Sequence, residues 1–415
     1  MEPNAPEAAP HDVRDWRDHA AFFLNLSRLC PDEVVPYMAQ GRPAFLINRP
    51  EHVTHVLSTA QANYRNPYHP YAELAGLYQP EGSFLLRLGH RAEHRSAYTH
   101  QLTRMVESAR ARFRVLGESS SQGPVEVERE LKELLLCVFA QALFGVDVAA
   151  ESESFVRAVG LLEEVQANHV FARGADTGPL RLRYQQAVED QQRLVERIVQ
   201  GSTGMREAVE EAPERHSLVH TAIIRTLLNG YNAMATALGW TLHLLGQHPE
   251  TQRQVREEAL GLEEELLTIR DLPRLRVTRC VVQESLRLYP PAWMLGRHVR
   301  EEERLGGITL PTGAIISVSP YTMQRHPRVW EEPDAFRPER FLGAESRQPG
   351  AYFPFGGGMR SCPAEHSVVG PLQLLVATLV REHQIEPVPG VTVRPRGLVS
   401  LRPSPTLRLR FLSLA

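Results

Sequence analysis

The chain has 415 residues, of which 42% are hydrophobic, and a formal net charge of -3. That is enough apolar chain for a large core, and so near neutrality that it makes no electrostatic case for a nucleic-acid partner. No run approaches about 18 consecutive apolar residues, and the opening "MEPNAPEAAPHDVRDWRDHA" lacks the basic start and apolar centre of a signal peptide. The expectation is a cytoplasmic protein without a membrane span, with a polar segment over 1–20 and one large domain over 21–415.

In chain order, "RPAFLINRPEHVTHVL" predicts a short strand, a turn at Arg49-Pro50 and a helix. "NYRNPYHPYAELAGLYQPEGSFLL" is aromatic and Pro-rich, and reads as loop. "VEVERELKELLLCVFAQALFGVD" spaces its apolar residues helically and stops near Gly145. "SFVRAVGLLEEVQANHVFA" and "PLRLRYQQAVEDQQRLVERIVQ" predict two more helices, joined by the loop "RGADTGP". A longer helix runs from about Ser217 to Gln247, apolar over most of its circumference and therefore central, and ends before Pro249. After "ESLRLYPP" short strands and Pro-rich turns take over. The expected fold class is mainly α with small β-sheets.

Near the end stands "AYFPFGGGMRSCPAEH", residues 351–366. The other cysteines (Cys30, Cys137, Cys280) lie far from Cys362 and form no CxxC pair, so a disulfide framework or zinc knuckle is not expected. Three glycines cost conformational entropy and need a reason. They let backbone approach a flat ligand and turn N–H groups toward the Cys362 sulfur, while Arg360 brings positive charge and Phe355 an aromatic face. That set suits a thiolate on haem iron, which pushes electron density onto the metal. No Gly-Lys-Ser/Thr follows, so a phosphate cradle is disfavoured. An inert buried cysteine is the plain alternative.

Phe355, Gly358, Arg360 and Cys362 fit F-x-x-G-x-R-x-C, and "ESLR" and "FRPERF" stand upstream. On these motifs the chain resembles the cytochrome P-450 family of haem-thiolate monooxygenases. Ala364, where the family usually has glycine, is a departure. The resemblance implies haem b with Cys362 as its axial ligand. It implies a structural ion triad of Glu284, Arg287 and Arg340 that holds the fold. It places Arg297 on one haem propionate and His94 on the other. Tyr98 stands where the family has an arginine partner for that histidine. Trp293 and Met294, past "LYPP", either shape a substrate channel or pack in the core.

The family's central-helix pattern A/G-G-x-D/E-T-T falls on Asn229-Gly230-Tyr231-Asn232-Ala233-Met234. The acid is replaced by Asn232 and the threonine by Ala233, while Gly230 is kept and is expected to leave room for oxygen. Asn232 can hydrogen-bond but cannot titrate. Protons could come through water on Asn232, through Thr236 one turn on, or from a substrate hydroxyl. Alternatively peroxide could serve as oxidant. Pro371 in the helix after the cysteine is a further departure.

The resemblance implies oxygen insertion into a C–H bond of a hydrophobic substrate, fed by ferredoxin and ferredoxin reductase. "ESLRLYPPAWMLGR" and "SPYTMQRHP" look most like bacterial carotenoid β-ring hydroxylases. A terpenoid or fatty acid, a peroxide-driven enzyme, and a non-catalytic haem or lipid binder are the other readings.

Overall fold

The computed structural model describes residues 11–12, 18–30, 34–39, 41–65, 92–171, 178–211, 216–263, 265–343, 347–362 and 364–414. The chain starts with β1 (His11–Asp12), α1 (His19–Leu29), β2 (Val34–Ala39), β3 (Arg42–Ile47), α2 (Pro50–Thr54), a wider π turn at His55–Thr59, and β4 (Tyr64–Arg65). A helical block follows: α3 (Ala92–Ser120), a short β5 (Val125–Glu126), α4 (Val127–Phe144), α5 (Ala149–Phe171), α6 (Gly178–Gly201), α7 (Thr203–Glu211) and α8 (His216–Leu227). Then come α9 (Ala233–Gln247), α10 (Pro249–Leu260) and α11 (Arg276–Leu288). Strands β6 (Leu295–Val299), β7 (Glu303–Leu305), β8 (Ile308–Leu310) and β9 (Ile315–Val318) precede a one-turn α12 (Pro320–Met323). The long α13 (Glu365–Glu382) and strands β10 (His383–Pro387), β11 (Arg394–Gly397), β12 (Leu401–Ser404) and β13 (Arg408–Ser413) complete it. The fold is mainly α with small sheets, in a single domain, as the sequence leads one to expect.

The largest sheet runs β1-β2-β3-β9-β6-β4. Its parallel pairing of Ala44–Ile47 on Ile315–Val318 ties the first quarter of the chain to the last. A strand with apolar residues on consecutive positions suits this: Ala44 to Ile47 are all buried. Loop 66–86 and the "RGADTGP" residues up to Thr177 lie outside the described residues.

The central helix is one run with a flaw in it. Between α8 and α9 a π turn, Leu228–Asn232, widens the coil. Sequence periodicity cannot register a single extra residue in a turn, and such turns gather at functional sites. In α9 every residue from Met234 to Leu245 is buried, so an all-round apolar sequence lands in the middle of the molecule. Trp240 stacks on Tyr289 with centroids 4.0 Å apart and donates Nε1–H to the Leu401 carbonyl at 2.7 Å. Helix α13 runs on through Pro371, which is buried there.

Of the two readings open for Trp293, packing is the one observed. The ring is buried with Phe23 and Leu401, donates to the Leu398 carbonyl at 2.7 Å, and lies so close to Gly397 that a Cβ there would come within 2.5 Å. Among the described residues no single helix is long and apolar enough to cross a membrane; α4 and the start of α5 pass together but bend by 116°.

Burial pulls the His243 imidazole on α9 down to about 4, with neighbouring His248 adding to it. An unfolded chain takes up that proton near the ordinary 6.5, the folded one only near 4. The stability held by neutral His243 is therefore whole above pH 6.5 and declines as pH falls toward 4, by about 3 kcal/mol. Denaturant unfolding between pH 7 and pH 4 should show this decline, and His243→Leu should flatten it. Parallel pH curves for the two proteins would refute it.

Candidate functional site

The site is anchored from α11. Glu284 and Arg287, three apart on one face, are both fully buried and form a two-pronged pair, Nε to Oε2 at 2.7 Å and a terminal nitrogen to Oε1 at 2.8 Å. Arg340 reaches the same Oε1 at 3.0 Å, and the Arg337 backbone N–H at 2.9 Å. Arg287 spends its remaining donors on the carbonyls of Gln324, Pro333 and Ala335. With its lone pairs and donors filled, the cluster meets the condition under which buried charge is tolerated. Gln324 passes the order on: its amide donates to the Leu286 and Arg287 carbonyls, and its Oε1 accepts from the Phe353 backbone N–H at 2.9 Å.

From Phe353 the cysteine loop is wound by its own backbone. Gly356 N–H donates to the Phe353 carbonyl at 2.9 Å, and Cys362 N–H to the Phe355 carbonyl at 2.8 Å. Gly358 has φ +67°, and a Cβ there would come within 1.9 Å of the Leu57 carbonyl oxygen. Only glycine fits, and the neighbour it admits is the chain's own π turn at His55–Thr59. From the next turn, Gln61 accepts from the Met359 N–H at 2.9 Å.

The Arg360 guanidinium donates to the Tyr64 carbonyl at 2.7 Å. Tyr64 is held in turn by Glu303, which also takes Asn63 and His55. The half-buried Cys362 thiol is governed by burial, which pushes it up; the Ala364 backbone N–H pulls the other way and Glu365 adds to the rise. Burial thus disfavours the Cys362 thiolate, and a bound metal would favour it.

Arg360 also acts on Arg297. Arg297, on β6, is 7% exposed, and its Nε has no hydrogen-bond partner among the described residues. One terminal nitrogen donates to the Gly296 carbonyl at 2.8 Å. Burial, then the like charge of Arg360, pulls this guanidinium down to about 10. Two facing arginines with an orphaned donor form a cradle for a carboxylate. His94 and Tyr98 both fall on α3, but their side chains lie outside the described residues.

On the central helix, Tyr231 and Asn232 are buried while Gly230 and Ala233 are only partly so. A Cβ at Gly230 would meet the Phe139 ring of α4 at 2.5 Å, so this glycine lets the two helices pack closely. Thr236 donates its hydroxyl to the Asn232 carbonyl at 2.9 Å. Asn232 donates Nδ2 to Glu163 Oε1 on α5 at 2.6 Å, and its Oδ1 is buried with no partner among the described residues. Glu163 in turn faces Arg402 at 3.5 Å, and Arg402 binds Glu128 at 2.6 Å, which Lys132 also holds. Nothing in the sequence links residues 163 and 232, so this carboxylate could not be found from motifs. A separate cleft of about 370 Å³ between α3 and α4, lined by Met105 and Val138 among others, includes none of these residues.

A cytochrome P450 family model matches residues 180–410, more than half of the chain. The chain belongs to the cytochrome P450 family. Among its relatives, cyclooctat-9-en-7-ol 5-monooxygenase of Streptomyces melanosporofaciens is 39% identical over 174 residues, 41% of this chain and 38% of that one. Cyclooctatin synthase of the same organism is 29% identical over 316 residues, 69% of this chain and 67% of that one. The matched stretch thus spans well under half of the first relative's length. Among solved structures, CYP175A1 from Thermus thermophillus superposes with a TM-score of 0.73 at 25% identity, covering 97% of this chain and 96% of that one.

P450 enzymes carry haem iron held by a cysteine thiolate. This chain's residues fit that group: a half-buried thiol in a glycine loop, and a buried arginine with an orphaned donor beside a second arginine. Breaking the ion triad from either side should be costly. Glu284→Gln or Arg287→Met is expected to lose about 3–5 kcal/mol in denaturant unfolding. A loss under about 1 kcal/mol, the value of a surface pair, would contradict it.

Proposed function

We propose that this P450 is a haem-thiolate monooxygenase that inserts oxygen into a C–H bond of a cyclic terpenoid. The observation that carries the reading is the pairing of the Cys362 loop with the Arg297–Arg360 cradle. In it, Cys362 Sγ is the iron ligand and the two guanidiniums take a haem carboxylate. Bound haem supplies the oxidation chemistry itself. The names of the relatives favour terpenoids, and the wording around Pro290–Arg297 favours the finer version, the β-ionone ring of a carotenoid. Electrons are proposed to come from ferredoxin and its reductase. The setting is proposed to be the cytoplasm, in keeping with four free cysteines among the described residues.

The chain's part beyond binding is to manage protons. Ala233 has no hydroxyl and Asn232 no acid, so neither can release one. Glu163 is the ionisable group at hydrogen-bond distance from Asn232. We assign it the acid's place: Glu163 holds Asn232 by Nδ2, which leaves the amide oxygen free to position a proton-bearing partner. Thr236, bonded back to the Asn232 carbonyl, keeps that turn in register.

Titrating the ferric protein with a cyclic terpenoid alcohol should shift the haem band, and turnover should give a single hydroxylated product. The same result with β-carotene in detergent would select the finer version; no shift and no product with either would overturn the substrate class. Glu163→Gln should lower ferredoxin-driven turnover on the order of 10²-fold with KM little changed. Peroxide brings its own protons, so peroxide-driven turnover should survive. Equal losses under both oxidants would make Glu163 structural only.

A further inference from the structure

Away from the cysteine loop, three metal-binding side chains converge between α6 and α8. His216 and His220, four apart on α8, bring their rings to 4.0 Å between centroids at an interplanar angle of 42°. Glu196 on α6 faces them, and one ligand atom from each of the three lies within 4.8 Å of the others. His220 Nε2 stands 3.7 Å from Glu196 Oε2, too far for a hydrogen bond, and is buried with no partner among the described residues. The other carboxylate oxygen, Oε1, accepts from Gln200 Nε2 at 2.7 Å, which turns Oε2 toward the histidines.

As a purely structural cluster this is poor. Two imidazoles in contact repel when both are charged, and an orphaned buried nitrogen costs free energy.

We propose that Glu196, His216 and His220 form a site for a borderline divalent transition metal, typified by Zn2+, that clasps α6 to α8. Two imidazoles and a carboxylate are a zinc ligand set, and hard oxygen-seeking cations such as Mg2+ and Ca2+ would not favour it. Bonds of roughly 2.0–2.2 Å require the three atoms to close in by about an ångström, within the reach of side-chain rotation. His216 is exposed, so entry is open and the remaining coordination is left to water. Gln200 orients the carboxylate from behind. Helix α8 runs directly into the π turn that carries Asn232, so the metal would fix the approach to that turn.

The test uses the haem-loaded full chain without an affinity tag, freed of metal by chelator and titrated with Zn2+ by calorimetry. One saturable equivalent is expected, with a rise in thermal midpoint that Mg2+ and Ca2+ do not give. His220→Ala and His216→Ala should each abolish that equivalent. Gln200→Ala, which touches no ligand nitrogen, should weaken it about 10–100-fold. An unchanged haem spectrum in each variant reports that the fold is intact. Absence of a saturable equivalent in the parent protein, or its persistence in both histidine variants, would overturn the site. Neither outcome bears on the haem reading, since the readout is metal binding and not turnover.

Discussion

Everything at the cysteine end hangs on one fully buried carboxylate. Glu284 is fully buried, and Arg287, Arg340 and the Arg337 backbone converge on it. A buried charge so satisfied adds modest net stability over an apolar replacement, but it forbids rearrangement, because any shift strands a charge. Arg287 thereby fixes three backbone carbonyls from the stretch 324–335. Gln324 then fixes Phe353, the residue from which the loop to Cys362 is wound. The position of the thiol is thus set by an ion triad whose members lie far from it along the chain.

The opposite wall comes from the front of the chain. The π turn at His55–Thr59 pushes a carbonyl against Gly358, and Tyr64 offers its own carbonyl to Arg360. The sheet that joins residues 44–47 to 315–318 and 64–65 to 298–299 brings these distant parts together. Arg297 lies on that sheet too, so Arg297 and Arg360 meet because β4 and β6 pair. An anion between them would offset their mutual repulsion.

Much of this was legible in the sequence, and what was hidden is instructive. The motif around Cys362 and the E-x-x-R pair are short-range patterns, and both stand where their spacing puts them. The family also fixed the fold class. The protein partners of these residues were not legible: Arg360 donates to the Tyr64 carbonyl, Gly358 makes room for Leu57, and Gly230 for Phe139. Each depends on which distant backbone arrives, which local spacing does not encode. Trp293, left open between channel and core, belongs to the core. The pairing of Asn232 with Glu163 spans 69 residues and was beyond motif reading, although the loss of the helix acid was the sign that a substitute was needed.

The central claim is that Cys362 is the thiolate ligand of haem iron. The most direct measurement is the absorption spectrum of the reduced, carbon monoxide-bound protein beside that of Cys362→His. A thiolate-type band in the parent, replaced in the variant by a histidine-type band with haem still bound, is the predicted result. A thiolate-type band that survives the substitution, or its absence from the haem-loaded parent, would contradict the account.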